Sequence, residues 1–267
     1  FCTSERLDTL RKSQEVQKLP SKYDRTCCNL SANEVAARQG RSESHVIRLK
    51  VPTGSTTVTD SIRGEITIDN ATIDDQVLMK SDGYPTYHLA NVVDDHLMQI
   101  THVIRGEEWL PSTSKHILLY QAFGWTAPMF SHLPNVLNDK RAKLSKRKDG
   151  AAVWVQTYQA TGYLPEAFIN YLALLGWHPS DDTEIFSLPE LVKQFDISRV
   201  QKAGAIFSIQ KLNWFNAEYI KKLSVDDLDA KLQPLYLTIM ATGRVVTNTT
   251  RLTKVLQSRL VTLNDVT

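Results

Sequence analysis

Four cations fall within six positions of 143-KLSKRKDG-150: Lys143, Lys146, Arg147 and Lys148, spaced by Leu144 and Ser145 and followed by an Asp-Gly turn signal. Ammonium and guanidinium groups on a loop can hold the phosphates of a nucleotide and stabilise charge moving onto a leaving pyrophosphate. The same pattern suits a solvated surface loop, because Lys and Arg are mostly exposed. The chain contains neither a Walker-type nor a G-x-G-x-x-G phosphate cradle, so if ATP binds, this loop must do much of the holding.

A second candidate is Arg105 in 101-THVIRGEEWL-110, at the end of an apolar run and just before a glycine. Burying an arginine there is costly unless an anion meets it, and its planar fork suits a carboxylate. A salt bridge to Glu107, Glu108 or the Asp94-Asp95 pair is the structural alternative. Tyr87 and Asn91 stand four residues apart and so share one helix face, offering a hydroxyl and an amide to a small polar pocket. Asn91 could equally serve as an internal hydrogen-bonder.

The elements that must carry these groups follow from periodicity. Residues 4–19 read as a short polar helix with Ser4 as its cap, and Ser31 with Glu34 forms a capping box for a second. HVIRLKVP, GEITID and QVLMKS read as strands, separated by the turn-rich TGSTTVTD and by IDNATIDD. From Pro85 the texture becomes helix (PTYHLANVVDDHLMQ), short buried strand (THVIRG), helix (STSKHILLYQAFG, capped by Ser112 or Thr113 and ended by Gly124) and strand-length run (MFSHLPNVLN). That alternation implies half of an α/β doubly wound sheet, with ligands at the carboxyl ends of its strands, where Arg105 and the basic loop would fall. The remaining 120 residues or so read as helices, a bundle or solenoid.

Composition sets few limits. The chain has 267 residues, 42% hydrophobic and 22% charged, with a formal net charge of +2, so any nucleic-acid role must come from local patches. The three cysteines, Cys2, Cys27 and Cys28, make no disulfide framework and suit a reducing compartment. No run of eighteen apolar residues is present, so no membrane span is expected.

The stretch 83-GYPTYHLANVVDDHLMQITHVIRGEEWLPSTSKHILLYQAFGW-125 followed by 143-KLSKR-147 resembles the glutamyl-tRNA synthetases of bacterial and organellar type. KLSKR stands where that family has KMSKS, with Leu for Met and Arg for the last Ser. The likeness runs through 1-FCTSERL-7 and 23-YDRTCCNLS-31, similar to the acceptor-end insertion, and 164-LPEAFINYLALLGW-177, similar to the stem-contact domain. It implies an α/β fold: the C-terminal half of the class I synthetase nucleotide fold, an α+β acceptor-end insertion and an α-helical C-terminal region. The division implied is 1–84 insertion, 85–142 second half of the nucleotide fold, 143–222 signature loop and stem-contact domain, and 223–267 the start of an anticodon-binding domain.

By the same resemblance Tyr87, Asn91 and Arg105 bind glutamate. Glu108, Val136 and Lys143, Leu144, Ser145, Lys146 and Arg147 contact ATP, with Lys143, Lys146 and Arg147 catalytic and Lys146 stabilising the phosphates. The family's HIGH signature and the first arginine of its glutamate pocket are not in this sequence. His45, His88, His96 and His116 lack the context of that signature, and on domain-size grounds about 100 further residues are expected upstream. Some members hold zinc in the insertion; Cys2, Tyr23 and Cys27 match three of four ligand positions, but tyrosine is an unusual zinc donor, so structural zinc is not expected.

The expected activity is ligation of L-glutamate to tRNA(Glu) through an ATP-derived glutamyl-adenylate, with Mg2+ accompanying the ATP, by a monomer without membrane association. Glutaminyl and glutamyl-queuosine synthetases are rivals of the same fold, and a noncatalytic tRNA-binding protein is the rival of another class. Cys28 and 133-LPNVLNDKRAK-143 lean towards a mitochondrial matrix, with a bacterial cytoplasm as the alternative.

Overall fold

In a computed structural model describing residues 1–267, the chain divides into two compact units, Phe1–His132 and Leu133–Thr267. Each is described by itself.

The first unit opens with α1 (Ser4–Val16), capped by the Thr3 hydroxyl rather than by Ser4, and α2 (Ala32–Gly40), opened by the expected Ser31–Glu34 capping box. β1 (Ile47–Arg48) is only two residues of the expected HVIRLKVP strand. The main correction lies in 53–60, read as a turn-rich spacer. It contains β2 (Ser55–Asp60), paired antiparallel over all six residues with β3 (Gly64–Asp69). Its threonines, counted as turn residues, are β-branched and fit a pleated surface, while Thr56, Val58 and Asp60 alternate inward. β4 (Val77–Met79) pairs antiparallel with β1.

Next come α3 (Tyr87–Leu97), β5 (His102–Gly106), α4 (Leu110–Phe123) and β6 (Met129–Leu133), the expected alternation. The four-stranded sheet has the order β3-β2-β6-β5, and β2 lies parallel to β6 with Asp60 opposite Phe130. β5 is half-exposed rather than buried, with Ile104 at 53% exposure, because only alternate side chains face the core. α4 starts at Leu110, with Pro111 in the first turn where its missing N–H costs nothing. Ser112 and Thr113 therefore sit inside the helix and do not cap it. Gly124 ends it at φ 68°, a left-handed conformation glycine adopts without a Cβ penalty. Val92, Leu118, Leu119 and Phe130 form the core over this sheet.

In the second unit, β7 (Val136–Leu137) continues the apolar run that β6 began, yet it pairs parallel with β8 (Ala205–Ile206), a strand the sequence did not suggest. The basic loop thus follows a strand of a separate two-stranded sheet. The rest is helical as expected: α5 (Val155–Ala160), α6 (Pro165–Leu174), α7 (Leu188–Gln194), α8 (Ile209–Lys222), α9 (Val225–Ala241, running through Pro234) and α10 (Thr249–Leu256). α6 packs on α8 over Tyr158, Tyr171, Leu212 and Phe215, and α9 packs on α10 around Leu228, Leu232 and Tyr236. Buried amides fasten the turns: Asn216 Oδ1 accepts from the Leu164 amide and Asn170 Oδ1 from that of Phe186, both at 2.8 Å. No helix is long and apolar enough to cross a membrane.

Leu212 on α8 has 0% exposure. Leu212→Ala should cost about 2–5 kcal/mol of unfolding free energy in urea, the range for a buried leucine that leaves a cavity.

Candidate active site

Arg105 lies at the carboxyl end of β5, half-buried, as expected. No carboxylate forms a direct ion pair with it, although the charge of Asp95, one of the supposed partners, acts on the guanidinium. Its Nε donates to His132 Nε2 at 3.1 Å, one terminal nitrogen donates to Thr113 Oγ1 at 2.9 Å, and the other lies 3.4 Å from His116 Nδ1. All three are uncharged acceptors. The ring of Phe130 lies 5.6 Å from the guanidinium carbon and that of Trp109 6.0 Å. Glu107, one of the supposed partners, pairs instead with Arg63 at 2.6 Å.

The acceptors are themselves held. Asp60, at 2% exposure on β2, takes the His132 Nδ1 proton at 2.6 Å and also the backbone amides of Ile62 and Arg63 at 3.0 and 2.8 Å. Burial works to raise the Asp60 carboxyl, but these hydrogen bonds outweigh it and hold it below the usual carboxylate range. Burial pushes His132 down, more strongly than Asp60 pulls it up, so the ring is neutral. His116 is pushed down to about 3, first by burial and then by the Arg105 charge, and its Nε2 meets His88 Nδ1 at 2.9 Å.

Tyr87 begins α3 and Asn91 follows one turn on. Tyr87 is 49% exposed, its ring 5.0 Å from that of Trp109, and its hydroxyl bears on the Arg105 guanidinium. Asn91 stands one turn before Asp95 on α3 and pulls that carboxyl down, but burial outweighs it and raises the group. Tyr87 and Arg105 are therefore brought together. Glu108, in the turn after β5, folds back over Gly106, where a Cβ would come within 2.2 Å of its carboxylate. Nothing in the sequence pointed to Asp60, Thr113 or His132, because Asp60 and His132 are 72 residues apart.

In the second unit the basic loop is built by main-chain pairing. Leu144 N donates to Val136 O at 2.9 Å, and Asn138 Oδ1 accepts from the amides of Lys140 and Ala142 at 3.1 and 3.0 Å. The Asp149 carboxylate takes the Ser145 amide at 2.8 Å and the Asn138 side-chain amide at 3.2 Å, and these bonds hold its pKa down. Lys143, Lys146, Arg147 and Lys148 are exposed while Leu144 and Ser145 are half-buried. The sequence offered Asp149 only as part of a turn signal and Asn138 only as the end of a strand-length run. Val136, 38% exposed, precedes the loop on β7.

Cys2 Sγ lies 3.3 Å from the Tyr23 hydroxyl and 3.4 Å from Cys27 Sγ, so the three positions that the resemblance aligns with zinc ligands do cluster. Two thiols and a phenol, its ionisation opposed by burial and by the hydrogen bonds of both cysteines, do not complete a tetrahedral zinc set. No group of three or more His, Cys, Asp or Glu side chains is arranged to hold a metal. A cavity of about 790 Å3 in the second unit, lined by His178, Asp181, Asp182 and Lys211 among others, contains none of the candidate residues.

The model of the catalytic domain of the class I tRNA synthetases (E and Q) matches residues 1–214. The chain belongs to this family. As a class I synthetase chain it is 50% identical over 248 residues to a glutamate–tRNA ligase of Clostridioides difficile, covering 92% of this chain and 49% of that protein. It is 48% identical over 269 residues to one of Dehalococcoides mccartyi, covering 99% and 54%. The chain thus spans about half the length of these curated relatives. It also superposes on the crystal structure of a glutamate tRNA ligase from Elizabethkingia meningosepticum in complex with its amino acid, with a TM-score of 0.88 at 38% identity, covering 100% of this chain and 58% of that one. The α/β class I synthetase fold expected from the sequence is thereby established.

The buried histidine gives this synthetase chain an acid sensitivity. Below the ordinary histidine value of 6.5 the unfolded chain protonates His116, whereas the folded chain resists down to about 3. Its contribution to stability is complete above the first value and lost as pH falls towards the second. Unfolding free energy should fall by up to about 1.4 kcal/mol per pH unit below neutrality from this group. His116→Gln should flatten the slope in urea titrations between pH 6.5 and 4.5; an unchanged slope would assign it elsewhere.

Proposed function

We infer that the protein carrying this chain is a glutamate–tRNA ligase. The observation that carries the reading is the Arg105 cation: it meets neutral acceptors at the end of a strand, beside the Tyr87 hydroxyl, and so is left with its charge available to a carboxylate substrate. A guanidinium fork matches a carboxylate at both oxygens, whereas the amide of glutamine would turn one N–H donor against it, which favours glutamate.

Chemically, a glutamate carboxylate oxygen attacks the α-phosphorus of ATP and pyrophosphate leaves. A hydroxyl of the tRNA's terminal adenosine then takes the glutamyl group and AMP leaves. Neither step needs a protein nucleophile, so positioning and charge stabilisation supply the catalysis. Lys146 is proposed to stabilise the pyrophosphate, aided by Lys143 and Arg147, on a loop whose backbone is already fixed by Asn138 and Asp149. ATP contacts at Glu108, Val136, Leu144 and Ser145, a glutamate contact at Asn91, and Mg2+ accompanying the nucleotide rest on the family resemblance.

The names of the relatives support glutamate and its tRNA as substrates, and their bacterial sources favour a bacterial cytoplasm over the mitochondrial matrix. The four-part domain division and a monomeric state are proposed on the resemblance alone.

Lys146→Ala in the intact protein should lower kcat of tRNA glutamylation by about 10² to 10³, the loss typical of one charge-stabilising contact. A loss below about tenfold would remove the lysine from that role.

A further inference from the structure

We propose that Asp60 and His132 are positioning residues for the substrate carboxylate, acting through Arg105 by fixing which ring nitrogen of His132 carries the proton. This rests on the reading of Arg105 as the glutamate-binding arginine. It goes beyond that reading in naming two residues, from strands outside the recognised signatures, that set the arginine's geometry.

The argument follows the protons. Arg105 Nε always carries hydrogen and lies 3.1 Å from His132 Nε2, so that nitrogen must present a lone pair. The ring proton then resides on Nδ1, 2.6 Å from Asp60 Oδ2. Asp60 is the only neighbour of Nδ1 in hydrogen-bond contact, and as a carboxylate it can only accept. Asp60 thus enforces the one tautomer compatible with Arg105. Both residues are almost wholly enclosed, His132 at 0% and Asp60 at 2% exposure, so water cannot supply a substitute partner. Thr113 Oγ1, 3.1 Å from the same Nε2 and 2.9 Å from an Arg105 terminal nitrogen, closes the triangle.

The opposite tautomer would place an N–H of His132 against the Nε–H of Arg105. The guanidinium would have to rotate or withdraw, and its fork would no longer meet a carboxylate at both oxygens. The effect would be on glutamate, not on ATP.

Asp60 also accepts the backbone amides of Ile62, Arg63 and His132, the last at 3.1 Å on the same Oδ2 and 3.3 Å on Oδ1, a purely structural duty, so the test must separate the two. Asp60→Asn can keep Oδ1 towards the Ile62, Arg63 and His132 amides while its NH2 takes the place of Oδ2 and faces His132 Nδ1, reversing the tautomer. His132→Gln offers Arg105 a carbonyl oxygen that needs no tautomer, and His132→Leu offers nothing. Glutamylation by the intact protein would be measured at varied glutamate with saturating ATP and tRNA, and again at varied ATP, after thermal melting establishes that each variant is folded.

Asp60→Asn and His132→Leu should each raise the KM for glutamate by about tenfold to a hundredfold, the range for one hydrogen bond to a charged group, with the KM for ATP little changed. His132→Gln should recover most of the loss seen in His132→Leu, and adding Asp60→Asn to His132→Gln should have little further effect, since coupled residues are not additive. An equal effect of Asp60→Asn in both backgrounds would make Asp60 a turn-holding residue only and overturn the proposal. Should Asp60→Asn not fold, equal KM values for His132→Gln and His132→Leu would overturn it as well. Arg105→Lys is the control for the underlying reading. If it leaves the KM for glutamate unchanged, the glutamate assignment itself fails; if it raises that KM while Asp60→Asn and His132→Leu do not, only the present proposal fails.

Discussion

A guanidinium ion that is half-buried and yet not neutralised by a carboxylate is the constraint around which the first unit is arranged. Removing such a charge from water is costly, and the usual remedy is an ion pair. Here the remedy is partial: three neutral acceptors satisfy N–H groups of Arg105 without cancelling its charge. The arrangement forces several otherwise arbitrary choices. Thr113 must lie inside α4, so the helix begins at Leu110. His132 must face inward on β6, and the strand that completes its hydrogen bonding must be β2, far away in sequence.

The nearby carboxylates show how the charge is kept available. Asp60 is committed to one imidazole and to backbone amides, and Glu107 is committed to Arg63. Either could have quenched Arg105 had it been one group closer. A direct pair would have lowered the cost of burial, but it would also have made an incoming carboxylate compete with a built-in one. Interposing a neutral imidazole transmits orientation from Asp60 to Arg105 while leaving most of the electrostatic attraction for a ligand.

How much of this was legible in the sequence depends on the range of the interaction. The capping box at Ser31, the stop at Gly124 and the helices of the second unit are local signals and were readable. Arg105, Tyr87 and the cations of the basic loop announced themselves by residue type and spacing. β2 was not readable because Ser and Thr have two uses: they form turns, and they also sit well on a sheet when a partner strand exists. β8 gained its strand character from β7, some 70 residues earlier, and a two-residue pairing leaves no periodicity to detect. The acceptors of Arg105 were hidden for the same reason, since no local pattern records a contact between residues 60 and 132.

The two candidate charge-binding devices are built on opposite principles, and the difference follows from what each is proposed to hold. Arg105 is fixed at three nitrogens, which suits a planar ligand of constant charge that must be told apart from its amide. In the basic loop the main chain is fixed by Asn138 and Asp149, while the cations Lys143, Lys146 and Arg147 lie at the exposed surface. A lysine on a four-carbon stem is a poor discriminator of shape, but it can follow a charge that shifts as a bond breaks. Fixing the loop's backbone in advance confines the entropy cost of that adjustment to side-chain rotamers, so less is lost when the phosphates are engaged.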